Sequence, residues 1–398
     1  MAAARGTGPG ILRLGRMMQG GRALLTVPLL LFLGFVFLYP IGSMLLRSFK
    51  ADAVVDTLPG VTEALAGGAE APSDAIFLLL AADLQAADSA AVATAGSTLN
   101  YFEPRLRSLL IASAKAVRYL PPEEAAKRLA EDRRWQRPEV WEALRELSHR
   151  YTPAYYRRVA DISWEDGQPK PGIYSLIYLR SFWMALVVTA SAVGIGYPLA
   201  YMISKQPARR AALMVFLVMV PFWTSLLART ASWLIIFQKD GPLNTLLLAL
   251  GAVDAPLELL FTRGAVYAAM IHVMIPFVTL PVYATMRGIP PEQMRAATSL
   301  GAHPYEAFWR VYVPQTLPAV GASALLVFTM TLGLYVVPLL LGGAGDQMIS
   351  YNIASHTLQT GNWGIAAALA SGLLVMTLAI CGLYGALAAR RGLRMARG

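Results

Sequence analysis

Apolar runs long enough to cross a lipid bilayer recur along the sequence. A hydrocarbon core about 30 Å thick requires about 20 helical residues at 1.5 Å rise each. Runs of this kind define the predicted spans TM1 to TM6: residues 23–46, 182–203, 211–227, 264–286, 320–341 and 364–388. With 56% hydrophobic and 15% charged residues, the chain of 398 residues is too apolar for an ordinary water-soluble protein. The predicted fold class is therefore an all-α integral membrane protein.

Basic residues predict which ends of the spans face the cytoplasm, because short cytoplasmic loops carry an excess of Lys and Arg. They cluster before TM1, between TM2 and TM3, and after TM6: Arg5, Arg13, Arg16, Arg22, Lys205, Arg209, Arg210, Arg390, Arg391, Arg394 and Arg397. The N-terminus (1–22), the tail (389–398) and, by alternation, the loop 287–319 are predicted to be cytoplasmic. The segment 228–263 holds two apolar stretches too short to cross, which indicates an interfacial or re-entrant helix on the outer face.

A long insertion, residues 48–179, separates TM1 from TM2 and is predicted to lie outside the cytoplasm. Leu106, Leu109 and Leu110 fall at helical spacing, and later segments carry proline and acids where helices begin. The apolar run 76–82 ends at an aspartate, so it is predicted to be a buried helical turn and not a span. We predict a small, mainly helical extracytoplasmic domain whose charges form either a solvated face or a docking surface for a partner.

Composition and motifs exclude several functions. The net charge is +10, but no nucleic-acid-binding motif accompanies it, so nucleic acid is not an expected partner. One cysteine, Cys381, and four histidines allow neither an intrachain disulfide nor a cysteine-based metal site, and they give no catalytic constellation. The sequence contains no GxxxxGK[ST] phosphate loop. We therefore expect a non-catalytic chain that itself binds neither ATP, metal nor another cofactor.

The loop between TM4 and TM5 carries the most specific pattern, PEQMRAATSLGAHPYEAFWRVYVP at residues 291–314. Its first proline can open a helix, and Glu292 suits the positive end of that helix. Ala296 and Ala297 form a small-residue face with the leucine that follows, and Gly301 permits a sharp turn. The pattern predicts a short helix that ends in a tight turn.

A second short helix is predicted after this turn, because Tyr305, Phe308, Trp309 and Tyr312 recur at helical spacing. These residues form an apolar stripe on a loop that faces the cytosol. Such a stripe needs a cover, either the protein's own helix ends or a groove on another protein.

This loop resembles the signature of the inner-membrane permeases of binding-protein-dependent ABC importers, in which Glu-Ala-Ala is followed by three residues, Gly, nine residues and Ile-x-Leu-Pro. Here Ala296 and Ala297 precede Gly301 at that spacing, and Val-Tyr-Val-Pro closes the motif at Pro314. The segments VPFWTSLLARTASWLIIF and HVMIPFVTLPVYATMRGIP also look like the spermidine/putrescine-type branch. The resemblance covers residues 180–390 and implies the type I importer permease fold.

The resemblance implies a multi-pass protein of the bacterial inner membrane that forms half of a translocation path. Its expected partners are a second permease subunit, two ATPase subunits that bind ATP and Mg²⁺, a soluble substrate-binding protein and the lipid bilayer. The expected substrate is a small solute, polyamine-like or a related amine or amino-acid-derived compound. In that family, the loop forms a coupling helix that sits in a groove of the ATPase subunit and transmits its closure to the spans.

One position departs from the family pattern, because Arg295 stands where the family has glutamate. Arg295 cannot form the ion pair that this glutamate usually makes with a basic residue of the ATPase. Glu292 lies three residues earlier on the same helix face and can substitute; alternatively, the second permease carries the polar contact alone. We hypothesise that docking depends more on Phe308 and Trp309 than on an ion pair.

Several polar or aromatic residues are candidates for the substrate path or its gate: Trp223, Thr224, Arg229, His272, Asp346 and Asn352. A histidine inside TM4 either bonds to a neighbouring helix or lines a path, and tryptophan is common at membrane interfaces. The outer-loop residues equally suit turn chemistry. Because no span centre holds an acid, a cationic substrate has to be bound by aromatics, by outer-loop acids or by the partner subunit.

Two other functions compete with this one. An ion-coupled secondary transporter predicts intramembrane acids or an inverted repeat, and the sequence shows neither. A membrane-anchored assembly subunit built around the 48–179 insertion requires site residues there, and none is identifiable.

Overall fold

The structure, a computed structural model, describes residues 26–160, 162–165 and 168–395. The predicted cytoplasmic N-terminus, the first three residues of TM1 and the last three residues of the basic tail lie outside the described residues. The chain divides into two compact units, which meet in the sequence between Tyr155 and Tyr156. Each unit has a packed interior of its own.

The first unit begins with helix α1, Thr26–Arg47, which ends one residue beyond the predicted TM1. Its 22 residues span about 33 Å at 1.5 Å per residue, enough to cross a bilayer. A π turn at Gly34–Leu38 widens the helix just before Pro40, whose ring and missing N–H do not fit a regular α turn. No residue of α1 is buried, so its apolar surface is left for lipid or for another protein.

A helical domain follows α1 and makes up the rest of the first unit. Its helices are α2 Asp52–Val55, α3 Pro59–Ala66, α4 Asp74–Ala86, α5 Ser89–Leu99, α6 Leu106–Val117, α7 Pro122–Ala130, α8 Pro138–Glu146 and α9 Ala154–Ala160, the last of which continues into the second unit. Proline opens α3, α7 and α8, where its missing N–H is not needed and its fixed φ suits the helix. The location of this domain outside the cytoplasm stays a prediction.

Two adjacent tryptophans, Trp135 and Trp141, lie at the centre of this domain, with their ring centroids 5.5 Å apart. Both are at most 2% exposed. The indole N–H of Trp135 donates to Ser113 Oγ at 2.8 Å, and that of Trp141 donates to the carbonyl oxygen of Trp135 at 2.6 Å. Both buried donors therefore have the partners that buried indoles require.

Asp83 connects two helices across the interior of this domain. It lies on α4, and its buried carboxylate accepts the N–H groups of Gly60 at 3.1 Å and Val61 at 2.9 Å. These N–H groups belong to the first turn of α3, where backbone donors lack helical partners and an acid is favourable. Burial raises the pKa of Asp83, while the two N–H bonds oppose that shift. The apolar run 76–82 lies in the same helix and contributes to its buried face.

Replacing Ser113 by alanine is expected to lower the free energy of unfolding of this domain by about 1–3 kcal/mol, because the buried indole N–H of Trp135 loses its acceptor. Ser108→Ala is the matched control, since Ser108 lies on the same helix and is exposed. Urea unfolding of the detergent-purified chain, followed by tryptophan fluorescence, measures both changes. Equal effects of the two substitutions contradict the expectation.

The second unit contains a short hairpin and the remaining helices. The hairpin pairs β1, Ile162–Glu165, with β2, Gln168–Pro171, in antiparallel fashion, so the fold is helical as predicted except for this element. The helices are α10 Ile173–Ser204, α11 Ala208–Met219, α12 Leu226–Ile236, α13 Pro242–Ala249, α14 Arg263–Arg287, α15 Pro291–Ser299, α16 Pro304–Gly333, α17 Val336–Leu341, α18 Ile349–Leu358 and α19 Trp363–Met395. The helix that contains the predicted TM2 begins at Ile173, before residue 182.

The third predicted span is broken into two helices. α11 continues as a 3-10 turn at Val220–Trp223, and α12 then leaves at an angle of 95°. Pro221 lacks the N–H that would continue α11, and the side chain of Ser225 starts α12 by accepting the N–H of Ala228 at 3.0 Å. The break thus falls within the predicted TM3, and the apolar stretches expected to be interfacial or re-entrant lie in α12 and α13.

The second short helix predicted within the loop 287–319 is not a separate helix, because α16 is continuous from Pro304 to Gly333. The sequence predicts a separate short helix and a span that begins at residue 320. Instead, a π turn at Phe308–Tyr312 takes up the interruption that Pro314 causes. After α16 the backbone becomes extended at Leu334, so the last part of the predicted TM5 forms the separate helix α17.

Helices α10 and α14 pack closely at the centre of this unit. Val188 of α10 and Met270 and Val278 of α14 belong to one buried apolar cluster. A Cβ at Gly196 would lie 3.0 Å from Val278, so a larger residue there requires a small shift of the facing helix. α14 extends the predicted TM4 by one residue at each end, and α19 contains the whole of the predicted TM6 with the half-buried Cys381.

Candidate coupling and substrate-path residues

The segment that carries the motif, residues 291–314, forms α15, a tight turn and the start of α16. α15 has no buried residue, and Leu300 after it is 90% exposed. Gly301 has a φ of +94°, a left-handed conformation that a residue with a Cβ rarely adopts. His303 then caps α16, because its Nδ1 accepts the N–H of Tyr305 at 3.4 Å. We call this the coupling segment.

The predicted aromatic stripe is divided between the interior and the surface. The rings of Phe308 and Tyr312 pack inward, with centroids 5.4 Å and 5.7 Å from the ring of Tyr201 on α10. Tyr305 and Trp309 are 69% and 53% exposed. The protein's own helix end therefore covers two of the four rings and leaves the other two uncovered. The spacing of the stripe gives no signal of this division.

A lysine connects the end of α10 to the coupling segment, and an arginine connects it to the end of α14. Lys205 Nζ lies 5.1 Å from the ring centroid of Tyr201 and 4.9 Å from that of Tyr312, within the range of cation–π attraction. Arg287, at the end of α14, donates to the carbonyl oxygen of Ser204 at 3.4 Å. The ends of α10 and α14 and the start of α16 are thus joined at one place. In the sequence, Lys205 is used only to predict which side of the membrane its loop faces, and its contact with the aromatic rings is not foreseen.

The polar residues of α15 are available to a partner. Glu292 and Arg295 are exposed, and neither side chain has a hydrogen bond or ion pair within the part of the chain that the structure describes. Ala296 is exposed, Ala297 is half-buried, and Pro314 is exposed on α16. Whether Glu292 replaces the family glutamate stays a prediction.

Asp346 is held inside the loop between α17 and α18. Its carboxylate, 8% exposed, accepts a hydrogen bond from Arg263 Nε of α14 at 2.7 Å. Arg180 of α10 donates to the carbonyl oxygens of Gly345 and Gln347, both at 2.6 Å. The loop is therefore tied to both central helices. The structure places Asp346 as an anchor of this loop, with its carboxylate already engaged.

The remaining candidates lie in different places. Trp223, 69% exposed, and Thr224 lie at the break between α11 and α12. Asn352 lies on α18, where its side-chain amide donates to the carbonyl oxygen of Met348 at 3.3 Å. Among the residues that the structure describes, no three His, Cys, Asp or Glu side chains are grouped as metal ligands would be.

Arg229 and His272 are brought onto facing helices. Arg229 lies in the first turn of α12, and Trp233, one turn later, places its ring 5.6 Å from the ring of His272 on α14. The sequence does not show that α12 meets α14 at His272, because this contact depends on the bend between α11 and α12.

Comparison with known proteins identifies the class of this chain. Residues 174–392 match the family described as binding-protein-dependent transport system inner membrane component. Because the match covers more than half of the chain, the protein belongs to this family, the multi-pass membrane permeases of ABC importers. The predicted resemblance is thereby confirmed. The match begins at α10, so the helical domain of the first unit lies outside it.

Individual relatives indicate the branch. The spermidine/putrescine transport system permease protein PotB of Salmonella typhimurium is 34% identical over 204 residues, 51% of this chain and 71% of that protein. PotB of Escherichia coli is 34% identical over the same length and is covered to 74%. The putative 2-aminoethylphosphonate transport system permease protein PhnU of Salmonella typhi is 31% identical over 166 residues, 42% of this chain and 57% of that protein. These relatives confirm the spermidine/putrescine-type branch.

Solved structures give weaker similarity. A bacterial ABC transporter involved in the import of the acidic polysaccharide alginate is 18% identical, covers 54% of this chain and 79% of its own chain, and has a TM-score of 0.42. An amino acid ABC transporter with histidines is 21% identical. The match covers 55% of this chain and 95% of that chain, with a TM-score of 0.36.

Asp346→Asn is expected to lower the Tm of the purified protein, because a neutral amide weakens the bond from Arg263. A loss of about 1 kcal/mol corresponds to about 2–4 °C for a unit of this size. Asp240→Asn is the control, since Asp240 is exposed. Thermal unfolding followed by intrinsic fluorescence measures both, and an equal fall for the control shows that the anchor has no special role.

Proposed function

We propose that the chain forms half of the translocation path of an ATP-driven importer and pairs with a second permease subunit. Two ATPase subunits carry ATP and Mg²⁺, and a soluble binding protein delivers the solute. The protein lies in the bacterial inner membrane with both termini in the cytoplasm. Family membership supports this assembly, because the matched family is defined by binding-protein-dependent transport.

The observation that carries the proposal is an uncovered apolar surface on the coupling segment, formed by Leu300, Tyr305 and Trp309, which we call the docking surface. Their exposed fractions are 90%, 69% and 53%. Exposed apolar surface of this kind marks a protein contact, and aromatic residues contribute much of the energy of such contacts. In this proposal, a groove of the ATPase covers the exposed part of the aromatic stripe, which the protein's own helices leave uncovered.

The coupling segment is also connected to the helices that would respond to docking. Phe308 and Tyr312 pack on Tyr201, and Lys205 lies over two of these three rings. Closure of the ATPase subunits moves the docking surface, and this aromatic cluster passes the movement to α10. Alternating access of the path then follows ATP binding and hydrolysis on the partner subunits.

The proposed substrate is a small amine. The PotB relatives are named for spermidine and putrescine, and PhnU is named for 2-aminoethylphosphonate, an amine that also carries an acidic group. The shared chemistry is a short chain with at least one ammonium group.

Reconstitution with partners tests the proposal. The chain is co-expressed with the ATPase, second permease and binding protein encoded beside it, and the complex is placed in proteoliposomes. Mass spectrometry identifies the solute that purifies with the binding protein, and its uptake is measured with ATP supplied to the ATPase side. We expect uptake to stop with a hydrolysis-deficient ATPase. Uptake that persists under that block indicates an ion-coupled transporter and overturns the proposal.

Trp309→Ala is expected to lower the amount of ATPase that purifies with the permease by about tenfold, as loss of about 1.4 kcal/mol at a docking surface does. Its effect on Tm is expected to be small, because Trp309 is 53% exposed. Phe308→Ala is the matched variant: its ring packs on Tyr201, so it should lower the Tm. Retention of the ATPase by Trp309→Ala at wild-type levels contradicts the assigned docking surface.

Arg295→Glu restores the family residue and tests whether an ion pair dominates docking. We expect it to change ATPase binding less than Trp309→Ala, because exposed ion pairs contribute about 0–1 kcal/mol. Quantitative co-purification at two salt concentrations separates the contributions, since salt screens an exposed ion pair and leaves apolar contact largely unchanged. A large, salt-sensitive gain in Arg295→Glu shows that the ion pair matters more.

A further inference from the structure

Helix α12 contacts the middle of α14 through a tryptophan and a histidine. His272 is the tenth residue of α14, which begins at Arg263, so it lies about 14 Å along the helix, within the bilayer region. The ring of Trp233 meets it at 72° and 5.6 Å between centroids. Arg229 lies one turn before Trp233, on the same face of α12.

Both side chains keep a buried nitrogen without a partner. Arg229 Nε and His272 Nδ1 are inaccessible to solvent and form no hydrogen bond within the described residues. The guanidinium group is always charged. A charge at membrane depth is unfavourable unless something pairs with it, and buried polar groups in folded proteins almost always have a partner. The pair therefore points to a ligand with acceptor atoms.

The described part of the second unit supplies no acid for this purpose. α10, α11, α12, α14 and α19 contain no Asp or Glu. Of the acids elsewhere, Asp346 is bound to Arg263 and Glu306 to Arg310. The other acids of this unit with described side chains form no ion pair with Arg229: Asp240, Asp254, Glu258 and Glu292. The positive charge of Arg229 is thus not neutralised by a described side chain of this unit.

The chemistry of the two groups selects an oxyanion. A guanidinium group donates two parallel N–H bonds to a carboxylate or a phosphonate, and an imidazole N–H adds a third donor. A solute with ammonium groups alone meets like charge here and offers no acceptor. The nearby ring of Trp233 provides a π face for an ammonium group at the other end of the same solute.

From this geometry we infer that Arg229 and His272 bind an acidic group of the transported solute. The inference rests on the proposed function and narrows its substrate class, from any small amine to an amine that also carries a carboxylate or phosphonate. The same oxyanion chemistry is available from an acidic side chain of the second permease, and the experiment separates these two sources.

The test compares putrescine with 4-aminobutanoate, two four-carbon solutes that differ by the exchange of an amine end for a carboxylate end. The complete complex in proteoliposomes is supplied with ATP and either labelled probe. We expect 4-aminobutanoate to be imported at least about tenfold faster, which corresponds to one well-formed charged contact. Binding-protein-stimulated ATP hydrolysis is recorded in parallel.

Three variants assign the effect to the site. Arg229→Gln is expected to slow import of 4-aminobutanoate about tenfold, Arg229→Lys to slow it less because the charge remains, and His272→Phe to slow it while keeping a ring against Trp233. Lys239→Gln is the control, because Lys239 is an exposed basic residue just beyond α12. It should leave the preference between the probes unchanged.

Three results overturn the inference. Faster import of putrescine does so, as does import of neither probe while ATP hydrolysis remains intact. The third is an Arg229→Gln complex that loses its second permease without a change in probe preference, since the oxyanion then belongs to that subunit. Failure of the proposed function looks different, because the ATPase then neither purifies with the chain nor drives any uptake.

Discussion

A bilayer offers backbone N–H and C=O groups no hydrogen-bond partner, and the whole membrane part of this protein depends on that constraint. Each span must keep its helical bonds even where proline interrupts them. In α1 and α16 a π turn takes up the interruption before Pro40 and Pro314, and both helices stay continuous. At Pro221 the chain breaks instead, because Ser225 provides a cap for a new helix. At Pro221 the break thus coincides with a serine, four residues later, that caps the next helix.

The spans and the coupling segment are predictable from sequence because bilayer thickness and the helical period act on neighbouring residues. Contacts between distant helices leave no such trace. Phe308 and Trp309 are adjacent members of one stripe, yet only the first is covered, since coverage depends on Tyr201 of α10. The bond between Arg263 and Asp346 joins positions 83 residues apart for the same reason. What periodicity shows is that a helix has an apolar face; which neighbour covers it is decided by tertiary packing.

Charge in the second unit follows a simple division. The described acids lie outside the central spans; Asp346 and Glu306 are paired with arginines of this chain, whereas Glu292 and Asp240 are exposed. The spans and α12 carry basic or neutral polar groups, and Arg229 is the basic group on which the inferred solute site depends. In the proposed assembly, the charge of Arg229 is balanced by a group outside this unit, on the cargo or on the second permease.

The continuity of α16 has a mechanical consequence. The ring of Tyr312 is clamped between Tyr201 and Lys205, and it divides the helix Pro304–Gly333 into arms of about 12 Å and about 32 Å at 1.5 Å per residue. If the two arms turn together about that point, the helix acts as a first-class lever. A displacement of the short arm is reversed and multiplied about 2.6-fold at the far end of the long one. In the proposed transport cycle, the helix converts a small movement of the coupling segment into a larger opposite movement at its far end.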